Sequence, residues 1–563
     1  MAKPTTMRLA QNTYDYIIVG AGSAGCVVAH RLATAGAGRI LVLEAGRDAE
    51  DEDGVVKPMR YGQAFHTDLD WAHWTPPQRN LDGRCIYTTS GKAVGGSSCI
   101  HGMAYVRPPL TDFDAWRDAG CEGWGGCDVL PYFCKSECMR GSPDWVASHG
   151  LHGPQPVTRL DPQRASKVAH AFVDASAEAG YEHIPDYNDF GAEPGVSWLQ
   201  LYQDAAGARA DAAKSFLWPA LEGSQALTVV AMSIVDKVLF DLSGPVPRAE
   251  GVAYFGVADG GTHHHAYARR HVVLCAGAIG SPAILLRSGL GPREELKQLD
   301  IETVVELPAV GKSLQDHICC PVTFATREPL LLEALQNTLE AHLLTHSPAG
   351  RAAGGPRDIQ VMQSILCEHA DEDMLHKGSG FTLMAVCLYP RSRGSVTLGS
   401  ASPFVKEKVD PDYLSSPADL EVLTEAVRVA RAVARQPAMR SVAVEARPGE
   451  EVEGESDVKD FIVRNATTMH HCAGSCRMGR GCPEEDVVDP NLAVLGVDGL
   501  MIADASIMPT LVGANTMATC MMIGEKAAQM LLLQDSRTAP CQEGAAKGSA
   551  ARAPFRAAPA GAY

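Results

Sequence analysis

YDYIIVGAGSAGCVVAHRLATAGAGRILVLEAG, residues 14–46, is the stretch whose reading decides the fold. YDYIIVG is a near-continuous apolar run of the kind carried by a parallel strand buried on both faces. CVVAHRLATAG reads as a helix and RILVLEAG as a second strand, so the chain opens on a βαβ unit. Gly20, Gly22 and Gly25 form GxGxxG between the first strand and the helix. Gly20 permits the turn, Gly22 lets backbone approach a pyrophosphate, and Gly25 allows helix and strand to pack closely. The helix N-terminus adds a field that favours negative charge. Glu44, closing the second strand, is placed to accept hydrogen bonds from ribose hydroxyls and disfavours a 2′-phosphate, which argues against NADP. The motif predicts a dinucleotide site without separating NAD from FAD.

The 563 residues exceed one ordinary core, so two or more structural units are expected. With 46% hydrophobic residues, 21% charged residues and 54 glycines, the composition is that of a globular protein with many tight turns. A formal net charge of -18 repels phosphates overall, so neither a nucleic acid nor an anionic membrane is an expected partner. No apolar run approaches the ~20 residues that a membrane helix needs, so no integral membrane segment is expected. The leading segment MAKPTTMRLAQN is basic but lacks an apolar signal core and a cleavage site. The expected location is soluble and intracellular, in the cytoplasm, with organelle targeting left open. The 17 cysteines are odd in number and scattered, and Cys121, Cys127, Cys134 and Cys138 lack the paired CxxC spacing of a zinc site. No metal is expected, and the thiols read as free in a reducing compartment.

Further along, LTVVAMSIVDKVLFD, VAYFGV and HVVLCAG are short β-branched runs bounded by turns, and they return the chain to the first sheet. Between residues 318 and 465 the pattern changes. LLLEALQNTLEAHLL and DLEVLTEAVRVARAVARQ read as helices there, with GFTLMAVCLYP and SRGSVTLG as strands between them. The expected division is a discontinuous dinucleotide-binding domain of residues 12–160, 220–318 and 466–532, a substrate-binding domain of residues 161–219 and 319–465, and a disordered Ala-, Gly- and Pro-rich tail over 533–563.

SGKAVGGSSCIHGMAYVR, residues 90–107, is a second glycine-rich segment whose backbone N–H groups suit a flavin's pyrophosphate and ring. GAIGSPAILLRSGLG, residues 277–291, again joins a strand exit to small residues. With these segments the sequence resembles the glucose–methanol–choline (GMC) oxidoreductases of choline dehydrogenase-like type, from about Tyr14 to Gln529. GWGGCDVLPYF, VGKSLQDH at 310–317 and DASIMPTLVGANTMAT at 504–519 match as well. The resemblance implies an α/β fold of mixed α+β character: a Rossmann-like FAD-binding domain with an interleaved substrate-binding domain built on an antiparallel sheet with helices. It implies FAD, contacted at the first turn by Gly20, Gly22, Ser23, Ala24, Gly25, Glu44 and Ala45. The second segment contributes Gly91, Gly95, Gly96, Ser97, His101 and Gly102. Val235, Ala276, Gly277, Asp504, Ala505, Asn515 and Thr516 complete the set. Ile100 stands where flavin-linking relatives carry histidine, so the FAD is expected to be non-covalent. His101 packs by the flavin edge. Relatives often carry Asn at the position of Ser313 and Ser at that of Asp211, and neither change is expected to reach the chemistry.

An alcohol loses hydride from carbon more easily once a base has taken its hydroxyl proton, and histidine is the usual base. In TTMHHCAGSCRMG, His471 matches the family's histidine, with Cys472 replacing the proline that follows it in relatives. Asn515 stands at the partner position, where an amide orients the alcohol without competing for its proton. The resemblance thus implies that His471 abstracts, Asn515 orients and flavin N5 receives the hydride, an alcohol becoming an aldehyde or ketone. The small-molecule alcohol and an electron acceptor, dioxygen or a quinone-like carrier, are the expected partners. His470 and the Met517–Met530 stretch read as structural. No aromatic box for a quaternary ammonium is identifiable along the chain. Hydroxynitrile lyases and fatty-acid photodecarboxylases share the scaffold and form the alternative reading, and retention of His471 with Asn515 argues against photodecarboxylation.

Overall fold

Thr13–Val19 lies between Ile40–Leu43 and Thr262–Leu274 and runs parallel to both. Its residues from Tyr16 to Val19 are buried, as an unbroken apolar run requires when helices cover both faces of a sheet. The computed structural model describes residues 12–140, 148–189, 194–330, 337–367 and 380–538. Leu227–Val230 adds a parallel strand beyond Ile40–Leu43, and Leu500–Ile502 adds another beside the end of Thr262–Leu274. Arg248–Gly256 and Ser233–Asp241 complete this seven-stranded sheet as an antiparallel extension. Strand succession reverses between Thr13–Val19 and Thr262–Leu274, so their carboxyl ends open at a topological switch point, where such sheets bind ligands.

A second seven-stranded sheet is antiparallel. Ala443–Arg447, Ile318–Thr326, Gly380–Cys387, Ile359–Ser364, Leu339–Thr345 and Gly195–Trp198 follow one another across it, and Thr467–Thr468 pairs with the start of Ile318–Thr326. Helices Lys167–Glu178 and Pro417–Ala434 pack on it, burying Phe172, Leu423 and Val427 in one core with Val322, Phe324, Phe381 and Leu383. Thr262–Leu274 is the last strand of the first sheet before Ile318–Thr326 enters the second, and the chain rejoins the first sheet at Leu500–Ile502.

Three expectations need correcting. Leu339–Thr345 is a strand rather than part of a helix, because pairing with Ile359–Ser364 and Gly195–Trp198 overrides the helical propensity of LLLEALQNTLEAHLL; residues 331–336 lie outside the described residues. Ala213–Leu217 falls within 161–219, yet Phe216 and Leu217 belong to the core of the first sheet. The C-terminal helix Met517–Thr538 runs past the boundary at 532, so residues 533–538 are helical rather than tail; residues 539–563 lie outside the described residues.

That last helix lies along Ser23–Thr34. A Cβ on Gly524 would sit 2.7 Å from the carbonyl oxygen of Ala24, which measures how closely the two backbones approach. At the next residue, the fully buried Glu525 carboxylate is held by Arg31, whose Nε and Nη2 donate at 2.8 and 2.6 Å, by Lys135 Nζ at 2.9 Å and by the Ser136 hydroxyl at 3.1 Å. Glu525→Gln keeps the shape but removes the charge, and is expected to cost about 1.5–3 kcal/mol of unfolding free energy, the worth of hydrogen bonds to a charged group. Urea denaturation checks this; an unchanged midpoint would show that the pairing contributes nothing to docking of the helix.

Candidate active site

The turn after the first strand is a matter of missing side chains. Gly20 holds φ at +102°, and a Cβ there would meet the Cys275 carbonyl oxygen at 2.4 Å; one on Gly25 would meet the Gly20 oxygen at 2.0 Å. Gly22 differs, since a Cβ would find nothing nearer than the Gly96 Cα at 4.0 Å. No side chain caps the helix that begins at Ser23, so its first amides, Ala24 and Gly25 among them, remain for an anion in the space beside Gly22. The second glycine-rich segment is pressed against this turn. Gly95 N–H donates to the Ala21 oxygen at 2.7 Å, Gly91 N–H donates to the Ser97 hydroxyl at 3.0 Å, and a Cβ on Gly96 would lie 2.7 Å from the Gly22 Cα. Glu44 accepts from the Ala21 and Gly46 amides, each at 2.8 Å, and burial raises its carboxyl above the usual range. Ala45 follows it, partly exposed.

The other segments close around the same place. Asp504 accepts from Gly277 N–H at 2.9 Å, the Ser281 hydroxyl at 2.5 Å and Ser506 N–H at 2.8 Å, tying the helix start at Ala276 and Gly277 to the segment Asp504–Ala505. His101, beside Gly102, places Nε2 2.9 Å from the Met517 sulfur, next to Thr516. Val235 is the outlier: its side chain is packed in the first core, and it meets this region through Ser233, whose N–H donates to the Glu44 carbonyl at 2.7 Å. Gly22, Ser23, Ser97, His101, Gly277, His471, Asn515 and Thr516 are open to solvent in whole or part, while the strands behind them are buried, so they belong on the accessible side of the cleft expected outside the strands' carboxyl ends. Uncapped amides and side-chain-free space at one end, with imidazoles and an amide at the other, suit a dinucleotide ending in a reactive ring.

At that far end His471 stands between two side chains. Asn515 Nδ2 lies 3.3 Å from its Nε2, and His317 Nδ1 lies 2.9 Å from its Nδ1. His317 Nε2 in turn lies 3.0 Å from the Leu388 carbonyl oxygen. The adjoining residues fasten the backbones. Asp316 accepts from His471 N–H at 2.7 Å and from the hydroxyls of Tyr413 and Thr468, while Gln315 exchanges two backbone hydrogen bonds of 2.9 Å with Ala473 and accepts from Leu511 N–H at 2.9 Å. The loop carrying Asn515 is pinned again by Asp112, which accepts from Gly513 N–H at 2.7 Å and the Tyr389 hydroxyl at 2.9 Å.

Several of these residues escaped sequence reading. VGKSLQDH was legible as a motif, but nothing in its local pattern says that His317 meets His471. Arg209 is buried beside His101, donating from Nε to the Val55 oxygen at 2.7 Å and from Nη1 to the Ser98 oxygen at 3.1 Å. Asp211 is buried against Gly95, where a Cβ would come within 3.4 Å of its carboxylate. Phe65, Tyr87 and His470, the last adjoining His471 in sequence, gather their rings 6.1–6.4 Å apart, an aromatic group assembled from distant segments.

Electrostatics suit a neutral base. Removal from water, then the neighbouring imidazoles of His317, His470 and His101, hold His471 well below the ordinary imidazole range. Burial pushes Asp316 up to about 6, against the lowering effect of its hydrogen bonds from Thr468, Tyr413 and the amides of His471 and His317.

Gly22→Ala fills the open space, so the apoprotein should unfold at the wild-type midpoint while losing most of its flavin on gel filtration. Gly20→Ala should instead cost about 2 kcal/mol or more of stability, through strain and collision. Equal behaviour of the two variants would refute the distinction. Asp316 binds its proton more tightly folded than unfolded, so its contribution to stability is full below the unfolded pKa near 4 and is lost as pH rises through about 6. Between pH 5 and 7.5 the wild type should lose on the order of 1 kcal/mol more than Asp316→Asn in denaturant titrations; parallel profiles would place the titration elsewhere.

A doubly wound sheet whose cleft ends on a paired imidazole and amide defines an oxidoreductase of the flavin class. The chain belongs to the GMC oxidoreductase family, whose profiles match residues 14–319 and 390–524. It is 33% identical over 558 residues to the mitochondrial choline dehydrogenase of Homo sapiens, with 93% of this chain and 90% of the relative covered. It is 36% identical to the oxygen-dependent choline dehydrogenase of Pectobacterium carotovorum subsp. carotovorum, with 92% and 94% covered. Among solved structures, pyridoxine 4-oxidase from Mesorbium loti superposes with a TM-score of 0.83 at 31% identity, over 92% of this chain and 98% of that one. The protein is an FAD-dependent oxidoreductase. Among the described residues no helix is long and apolar enough to cross a membrane.

Proposed function

We propose that the protein oxidises a primary alcohol to an aldehyde, with His471 as general base and Asn515 as its partner. The observation that carries the reading is the pair itself, with Asn515 Nδ2 3.3 Å from His471 Nε2 at the open end of the cleft. His471, kept neutral by its surroundings, accepts the hydroxyl proton at Nε2 as the carbon–hydrogen bond of the carbinol breaks. Asn515 donates to the same oxygen, orients the alcohol and stabilises developing negative charge. When bound, FAD supplies at N5 the acceptor for the carbinol hydride. The residues named around Gly22, Gly96, Glu44, Gly277 and Asp504 would hold it. Ile100 is buried in a small apolar cluster and has no nucleophile to offer, which supports non-covalent FAD.

The rings of Phe65, Tyr87 and His470 favour an alcohol that carries a cation or a ring of its own. Choline and pyridoxine, the substrates named for relatives, have those properties.

The test is anaerobic mixing of the yellow holoenzyme with choline, pyridoxine, benzyl alcohol and hexan-1-ol, followed by flavin absorbance. Bleaching by one of the first three at least tenfold faster than by hexan-1-ol is expected. Admission of air then assigns the electron acceptor, rapid recolouring meaning dioxygen and slow recolouring a quinone-like carrier. His471→Ala should retain FAD and bleach about 10²–10⁴-fold more slowly; wild-type bleaching by that variant would remove the base assignment.

A further inference from the structure

We propose that His317 is a positioning residue that locks His471 into the tautomer with its proton on Nδ1, so that the nitrogen acting as base always faces Asn515 and the alcohol. The inference rests on His471 being the base and adds the device that keeps it ready.

The assignment follows from counting donors and acceptors. A carbonyl oxygen can only accept, so the 3.0 Å contact between His317 Nε2 and the Leu388 oxygen requires the proton on Nε2. His317 is 1% exposed, and burial outweighs its contacts with the Leu388 and Val512 carbonyls and holds its imidazole down to about 4, so the ring is neutral; with its one proton on Nε2 facing Leu388, its Nδ1 bears a lone pair. Facing that lone pair at 2.9 Å is His471 Nδ1, with the two rings nearly perpendicular at 86°. Two lone pairs at that separation repel, whereas an N–H on His471 Nδ1 makes a good hydrogen bond. The proton therefore resides on Nδ1, and the lone pair of Nε2 points at the Asn515 amide 3.3 Å away. Each N–H in the series then has an acceptor: His471 donates to His317, and His317 donates to Leu388.

The lock is rigid because backbone supports it on both sides. Met469 N–H donates to the His317 carbonyl at 2.9 Å, and His471 N–H donates to the neighbouring Asp316 carboxylate at 2.7 Å. Once His471 has taken the alcohol proton at Nε2, the His317 lone pair still accepts from Nδ1–H, so the new imidazolium keeps a partner. With the opposite tautomer the base nitrogen would carry a proton and be unable to take another, a fault that can cost a histidine-based active site orders of magnitude in rate.

The decisive measurement is nitrogen NMR of ¹⁵N-histidine holoenzyme, with the His471 signals identified by their loss in His471→Ala. Nδ1 protonated and Nε2 unprotonated at neutral pH is the expected result, and a proton on Nε2 overturns the proposal whether or not any tested alcohol reduces the flavin. Kinetics form the second arm, using the fastest alcohol of the panel above. His317→Leu removes the acceptor and should lower the limiting rate of flavin reduction about tenfold or more, with half-saturation little changed. His317→Asn places an amide oxygen near the lost Nδ1 and should recover part of that rate. A His317→Leu enzyme as fast as wild type, beside a slow His471→Ala, discards the lock and leaves the base in place. A fast His471→Ala discards the base itself. If His317→Leu does not load FAD, the unmodified holoenzyme's nitrogen spectrum decides alone.

Discussion

The short run Gln315–Asp316–His317 is the clasp on which the arrangement of the site depends. Its three side chains and their backbone touch the segment carrying His471 and the loop leading to Asn515, and it directly precedes Ile318–Thr326 of the antiparallel sheet. Gln315 sets the separation of the two segments, Asp316 holds the His471 amide, and His317 meets the His471 ring. A base must stand within about 3 Å of the proton it takes, so a clasp reaching both partners is what turns two sheets into one site.

Burial gives those contacts their strength and their electrical character. In water a hydrogen bond between two imidazoles would exchange freely with solvent. In the interior the same bond has few competitors, and an ionised ring has little to stabilise it. Desolvation accordingly keeps His317 and His471 neutral and raises Asp316 towards neutrality. The cleft's other end works through absence: glycines at Gly20, Gly25 and Gly96 let three stretches of backbone approach, while the space at Gly22 stays open.

Much of the fold was legible because its signals are local. The apolar run from Tyr16 to Val19, the spacing of Gly20, Gly22 and Gly25, and the acidic close of the next strand all lie within one supersecondary unit. Helix Pro417–Ala434 was legible for the same reason, since its apolar stripe repeats with the helical period. Leu339–Thr345 was not, because a short apolar run has no period strong enough to choose between strand and helix, and its neighbours Ile359–Ser364 and Gly195–Trp198 made the choice. Arg209 and the rings of Phe65, Tyr87 and His470 were hidden likewise, each set being joined only by packing.

The sequence by itself pointed to a dinucleotide site at the first turn and, through its resemblance to a family of flavin enzymes, to His471 as the candidate base with Asn515 as its orienting partner. Such features reside in residue type and in spacing over a few dozen positions. Only the tertiary structure decided that His317 and Leu388 stand behind His471, and hence which of its nitrogens is free to act. A tautomer is set by the donors and acceptors around a buried ring, and here those come from four positions far apart along the chain.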